Sequence, residues 1–122
     1  MTKHTFTVIP GLNGAKPTWK FDNTKPEKCN VKRGDQIEFV FDGPFKLGEC
    51  SLLTGRFNNG EPVSPFTVAT PVTLQQNQKL TILSTLPLPV ETWGFTLAFT
   101  LITVLGPEFQ YIPDPELQVG ST

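Results

Sequence analysis

The sequence predicts an all-β protein folded as one β-sandwich, on three observations. Twelve prolines and ten glycines fall between short runs of Phe, Val, Ile, Leu and Thr, so that turn signals recur about every ten residues. Within DQIEFVFDG, the residues Ile37, Phe39 and Phe41 alternate with Gln36, Glu38 and Val40, the period of two that a strand shows when one face is buried. No stretch carries the apolar stripe of a long amphipathic helix. A chain of 122 residues is long enough to bury one core of ordinary size, so residues 1–122 are read as a single domain.

From the N-terminus, Thr5 to Ile9 is the first clear strand, and Thr18 to Phe21 and Lys28 to Val31 are weaker ones. Gln36 to Asp42 is the strand with the cleanest alternation. The segment Gly43 to Pro65, GPFKLGECSLLTGRFNNGEPVSP, is rich in Gly, Pro and Asn and reads as a long connection across one end of the sandwich, where binding residues commonly sit. Val68 to Leu74, Lys79 to Leu86, Phe95 to Leu105 and Phe109 to Ile112 complete the set of expected strands. In GFTLAFTLITVL, Phe95, Leu97, Phe99 and Leu101 fill one face, while Ala98, Ile102 and Val104 make much of the other apolar. Such a strand is central, or has its second face covered by a loop or by another copy of the chain in a homo-oligomer.

The chain carries 10 Lys and Arg against 11 Asp and Glu, for a formal net charge of −1, and the two signs are interspersed. There is no basic stripe, which argues against nucleic acid and anionic membrane as partners. MTKHTFTVIPG lacks the apolar stretch of a secretory signal, and the most apolar run, near Leu97 to Leu105, is broken by Thr100 and Thr103. The expected location is the cytoplasm. Cys29 and Cys50, the only cysteines, are accordingly expected as free, buried thiols.

The stretch VKRGDQIEFVFDG resembles the second-strand region of copper-binding β-sandwiches and of immunoglobulin-like domains, in which Gly-Asp turns the chain into an alternating strand. The sandwich is therefore expected to be immunoglobulin-like or cupredoxin-like in outline. A blue-copper site needs two His, a Cys and usually an axial Met, and this chain has one histidine, His4, and one methionine, Met1. Type 1 copper is excluded by that count, and no cofactor is implied. His4 is expected to be solvated in an exposed N-terminal segment. Serine- or cysteine-based catalysis would require the same histidine, and nothing around Cys29, Cys50 or Ser51 resembles an activated nucleophile. Carboxylates are left as the candidate catalysts.

One carboxylate stands out chemically. Near the C-terminus, YIPDPELQVGST contains the sole Asp-Pro bond of the sequence, Asp114–Pro115. The Asp114 carboxylate can reach its own carbonyl carbon through a five-membered ring, and the tertiary amide nitrogen of Pro115 is a better leaving amine than a secondary one. Attack would expel Pro115 and leave a cyclic anhydride, which water opens to a C-terminal aspartate. Asp-Pro also initiates turns and caps strand ends, so the alternative reading is a non-enzymatic binding or assembly module in which Asp114–Pro115 is a simple turn.

A β-sandwich of this length that ends in a strand and then Asp114, Pro115 and Glu116 resembles the bacterial DP-EP family. That resemblance implies a self-cleaving endopeptidase that cuts its Asp-Pro bond and keeps its own C-terminal peptide, here residues 115–122, docked. It also implies a lysine near the cleaved aspartate and a second aspartate that activates water, for which Asp42 and Asp35, at the two ends of the alternating strand, are the candidates. The chain departs from the pattern at Leu117, where a second proline is expected, and in GFTLAFTLITVL, which has Thr96 and Thr100 at its outward positions and no lysine.

Overall fold

The computed structural model describes residues 2–12, 14–54, 56–58, 60–113 and 115–120, with the side chains of residues 56–58 and 62 outside that description. Among the described residues every regular element is a strand, and no helix is long and apolar enough to cross a membrane. The strands are β1 (Lys3–Ile9), β2 (Thr18–Phe21), β3 (Cys29–Lys32), β4 (Gln36–Phe41), β5 (Lys46–Thr54), β6 (Arg56–Asn58), β7 (Glu61–Val63), β8 (Val72–Thr73), β9 (Gln78–Thr81), β10 (Thr92–Thr103), β11 (Gly106–Ile112) and β12 (Glu116–Gly120). They form a single β-sandwich of two mixed sheets. One runs β2-β1-β4-β9, and the other runs β3-β12-β10-β5-β8 with β11 also paired to β10. The β6–β7 hairpin forms a small third ladder.

The alternation in the sequence carries the core. In β4, Ile37, Phe39 and Phe41 are buried while Gln36, Glu38 and Val40 are only partly covered. In β10, Trp93, Phe95, Leu97, Phe99 and Leu101 all point inward. The sheets meet through aromatic contacts, Phe6 against Phe95 at 5.4 Å between ring centroids and Phe41 against Phe99 at 5.3 Å, both edge-to-face. Each such pair adds about 0.5–1.5 kcal/mol beyond the area it buries.

Two expected features differ. The segment 43–65 is not a loop across the sandwich end, because its first half is β5, which runs antiparallel to β10 from Ile102↔Lys46 to Phe95↔Thr54. Cys50, Leu52 and Thr54 face the core, an alternation masked by Gly48, Glu49 and the flanking Gly and Pro residues. Gly48 sits at a close approach: a Cβ there would lie 3.0 Å from the Thr100 carbonyl oxygen and 3.3 Å from Ile102 Cδ1, tighter than ordinary side-chain contact. The register of β5 on β10 shifts between Phe99 and Leu101, beside that contact. Because this segment enters the plane of the sheet, it does not cover the outward face of β10 at its far end, and Ile102 and Val104 are exposed. The expected strands at Val68 to Leu74 and Lys79 to Leu86 shrink to β8 and β9; Pro71 lacks the N–H that would extend the former, and beyond β9 Ile82 forms an isolated bridge to Phe66 while its N–H donates to the Asp35 carbonyl at 2.8 Å.

The larger finding is β12. It lies inside the second sheet, parallel to β3 (Leu117↔Cys29 to Gly120↔Lys32) and antiparallel to β10 (Gly94↔Glu116 to Thr92↔Gln118). Leu117 is 1% exposed and Val119 is fully buried, and Val119 N–H donates to the Glu91 carbonyl at 2.8 Å. β12 is also the neighbour through which β3 joins the sheet. Leu117→Ala is therefore expected to behave as a core truncation, lowering stability by about 2–5 kcal/mol in urea unfolding. A change below about 0.5 kcal/mol, the range of an ordinary surface substitution, would place β12 outside the core.

Candidate functional site

The Asp-Pro motif falls where the partner of β10 changes from β11 to β12. Leu97 faces Ile112, and Gly94 faces Glu116. Between these two pairs β10 has two residues, 95 and 96, while the chain paired to it has three, 113–115, an excess of one. Pro113 and Pro115 have no N–H, so a regular ladder cannot run through them. Two bonds hold the flanks. Thr96 Oγ1 donates to the Pro113 carbonyl at 3.3 Å, and Phe95 N–H donates to the Pro115 carbonyl at 3.0 Å. Pro115 is buried and Pro113 exposed. Beside them is an open cleft of about 280 Å³ lined by Leu53, Gly94, Thr96 and Glu116. Asp114 itself lies outside the described residues.

The structure does not bring the two other candidate aspartates to Pro115. Asp35 follows the turn after Lys32, whose strand partner is Gly120; Pro115 is at the opposite end of β12, about 17 Å away at the rise of an extended strand. Asp42, whose N–H donates to the Val8 carbonyl at 2.8 Å, lines a small pocket with Leu101. Leu101 is six residues along β10 from Phe95, or about 20 Å. Among the described residues lining the cleft, Glu116 is the carboxylate and none is a lysine.

His4 corrects a second expectation. It is not solvated, because β1 begins at Lys3 and lies parallel to β4, placing His4 opposite Ile37; its side chain is 13% exposed. The ring stacks on Phe21 at 5.2 Å. Its Nδ1 lies 2.7 Å from Asp22 Oδ2 and its Nε2 2.9 Å from Asp35 Oδ2. Each carboxylate is fixed by a turn. Asp22 and Asn23 both have positive φ, 50° and 63°, between the doubly bonded Phe21 and Thr24, the conformation that Asp and Asn tolerate better than other side chains. Asp22 Oδ1 accepts the Thr5 N–H at 2.8 Å. Asp35 follows Gly34, whose φ of 86° closes the turn from Lys32. It is 5% exposed and accepts the N–H groups of Thr2 at 3.0 Å and Lys32 at 2.9 Å.

Burial alone would lower the His4 pKa, but the hydrogen bonds and charges of Asp22 and Asp35 outweigh it and hold the imidazole above its ordinary range. Burial would likewise raise the Asp35 pKa, and the bonds from His4, Lys32 and Thr2 bring it below the usual carboxylate value. A carboxylate oxygen stands at hydrogen-bond distance from each ring nitrogen, an arrangement satisfied when both nitrogens carry protons, and in that imidazolium form the ring has no lone pair to offer a substrate or metal. Among the described residues, no group of three or more His, Cys, Asp or Glu side chains is arranged to hold a metal ion. The signal for this cluster was present in part: in KHTFTVI, His4 shares the parity of Phe6 and Val8, which places it on the inward face.

Comparison with protein-family models found no match to this chain, and a search among curated proteins found none either.

Cys29 and Cys50 are free and fully buried, on strands β3 and β5. Burial pushes both thiols up to about 12, with the charge of Asp22 adding to the effect at Cys29. Both are expected to resist a thiol reagent in the native protein at neutral pH and to titrate as two groups in non-reducing denaturant. Fast native labelling, or fewer than two groups on denaturation, would contradict that state.

Proposed function

We propose that this protein is an aspartate-dependent endopeptidase that cuts its own Asp114–Pro115 bond in the cytoplasm, without a cofactor, and retains residues 115–122 as a docked peptide, as the DP-EP resemblance implies. One oxygen of the Asp114 carboxylate bonds to the Asp114 carbonyl carbon, the C–N bond to Pro115 breaks, and the proline nitrogen leaves as an amine with a proton taken from water. A water molecule then opens the anhydride to a C-terminal aspartate, so one water is consumed overall.

The observation that carries this reading is the restraint on both sides of the bond: the Pro113 carbonyl is held by Thr96 and the Pro115 carbonyl by Phe95, across a stretch where the outer strand has one residue in excess. Holding the carboxylate and carbonyl in a near-attack arrangement can supply about 7–11 kcal/mol of the barrier. The attacking group and the bond it breaks belong to one residue, so the ring closure itself needs no second aspartate. Burial of Leu117 and Val119 gives the cut peptide a reason to stay.

The reading is tested by mass spectrometry of denatured, purified chain. Two species, one ending at Asp114 and one beginning at Pro115, are expected. Asp114→Asn and Asp114→Ala should give only intact chain. Pro115→Ala should cleave more slowly, and Thr96→Ala about two- to tenfold more slowly, the effect of one net hydrogen bond. Asp42→Asn, about 20 Å away by strand length, should cleave at the wild-type rate. A wild-type chain that stays intact for weeks at neutral pH would overturn the proposal. It would instead favour a non-enzymatic assembly module, the reading suggested by the exposed apolar side chains Ile102, Val104, Leu105, Phe109 and Tyr111 on the β10–β11 hairpin.

A further inference from the structure

The His4 cluster lies away from the Asp-Pro bond and has its own physical logic. Three segments distant in sequence meet at one ring: the start of β1, the turn after β2 through Asp22, and the β3–β4 turn through Asp35. These two turns flank β3. Asp35 also accepts the Lys32 N–H, at the residue paired with Gly120. The cleft beside the ring, about 340 Å³, is lined by Thr2, Asn30, Lys32, Asp35, Gln118 and Gly120. The ring therefore stands at the point where β1, β3 and the end of β12 come together.

We propose that His4 is a proton-dependent clasp: as an imidazolium it ties β1 to both turns that flank β3 and so secures the seat of β12, and it releases one turn when it loses its proton. The reason is a count of donors. A neutral imidazole has one N–H and one lone pair, while both of its neighbours here are carboxylate oxygens at hydrogen-bond distance. Deprotonation must set a lone pair against a carboxylate, and the ring or the carboxylate then moves away. Asp35, nearly buried and holding two backbone N–H groups, is the fixed end of the clasp. Asp22, whose side chain is 46% exposed, is the end that water can solvate.

Other charged or titratable groups lie on the elements around the ring, among them Arg33 of the β3–β4 turn, whose Nε is buried. Lys3, next to His4 on β1, pairs with Glu38 of β4 at 3.2 Å. Directly opposite His4, β4 presents uncharged Ile37. On β3, the Cys29 thiol is pushed up to about 12 and stays neutral, and Lys32 lines the cleft. The β12 residues in the cleft, Gln118 and Gly120, carry no charge.

The sign of the effect follows from linkage. A histidine whose pKa is higher folded than unfolded adds stability that is fully present below about pH 6.5, its unfolded value, and is lost as pH rises through the folded value. The test is hydrogen exchange by NMR on the full chain, corrected for the intrinsic pH dependence of exchange, together with 15N shifts of the imidazole. At pH 6 both ring nitrogens should carry protons. Protection of the amides at residues 30–32 and 118–120 should fall as His4 titrates, in total about tenfold for each unit by which its pKa is raised. In His4→Gln the fall should vanish, and in Asp22→Asn, which keeps Asp35 and so the buried end of the clasp, it should shrink as the imidazole pKa drops. A neutral ring at pH 6, or the same decline in wild type and variants, would overturn the clasp. These outcomes do not depend on whether Asp114–Pro115 is cut, since cleavage is read separately by mass in the same samples.

Discussion

Strand β10 can be central only because its odd-numbered residues from Trp93 to Leu101 find an apolar surface to meet, and the Phe6–Phe95 and Phe41–Phe99 contacts are where they meet it. Burying a side chain of this size contributes about 1.5–3 kcal/mol, more than the about 0.5–1.5 kcal/mol net of a typical neutral hydrogen bond. They also fix geometry. Phe6 belongs to β1 and Phe41 to β4, two strands paired in parallel; with both rings seated on β10, the relative position of the sheets is set. Strands β5, β11 and β12 are then placed by hydrogen bonding to β10.

This arrangement places Pro113 and Pro115 beside β10, through the Thr96 and Phe95 bonds to their carbonyls. The outer strand must follow β10 from Thr103 back to Thr92, yet two prolines interrupt its ladder. The chain accommodates them with one extra residue, and burial of Leu117 and Val119 draws it back into the sheet beyond the interruption. The described residues on either side of the Asp-Pro bond, Ile112 before it and Leu117 after it, are thus anchored in the core.

The second polar centre works on a different principle. The His4 cluster contributes to where the edges of the sandwich close, through two short bonds that require a charged ring. The bond to Asp35 is part-buried and so screened less than a surface pair, the bond to Asp22 is exposed, and unlike the aromatic contacts both involve a group that titrates. The sandwich therefore has a core insensitive to protonation and one corner that is not.

What the sequence determined by itself was whatever has a local period or a local bond. The alternation of Ile37, Phe39 and Phe41 and that of Phe95 to Leu101 predicted the two strands that face each other across the core, and Asp114–Pro115 is visible as a dipeptide of adjacent residues. β5 was hidden because Gly48, which lies close against Thr100, reads locally as a loop residue. β12 was legible as an apolar-polar alternation at Leu117, Gln118 and Val119, but its place between β3 and β10 depends on partners far along the chain. Asp22 and Asp35 stand 18 and 31 residues from His4, and the assignment of Asp35 as a helper near Pro115 had no distance to constrain it. Only the tertiary structure could decide these points, because strand pairing and the His4 ion pairs are contacts between segments whose separation in sequence carries no information about their separation in space.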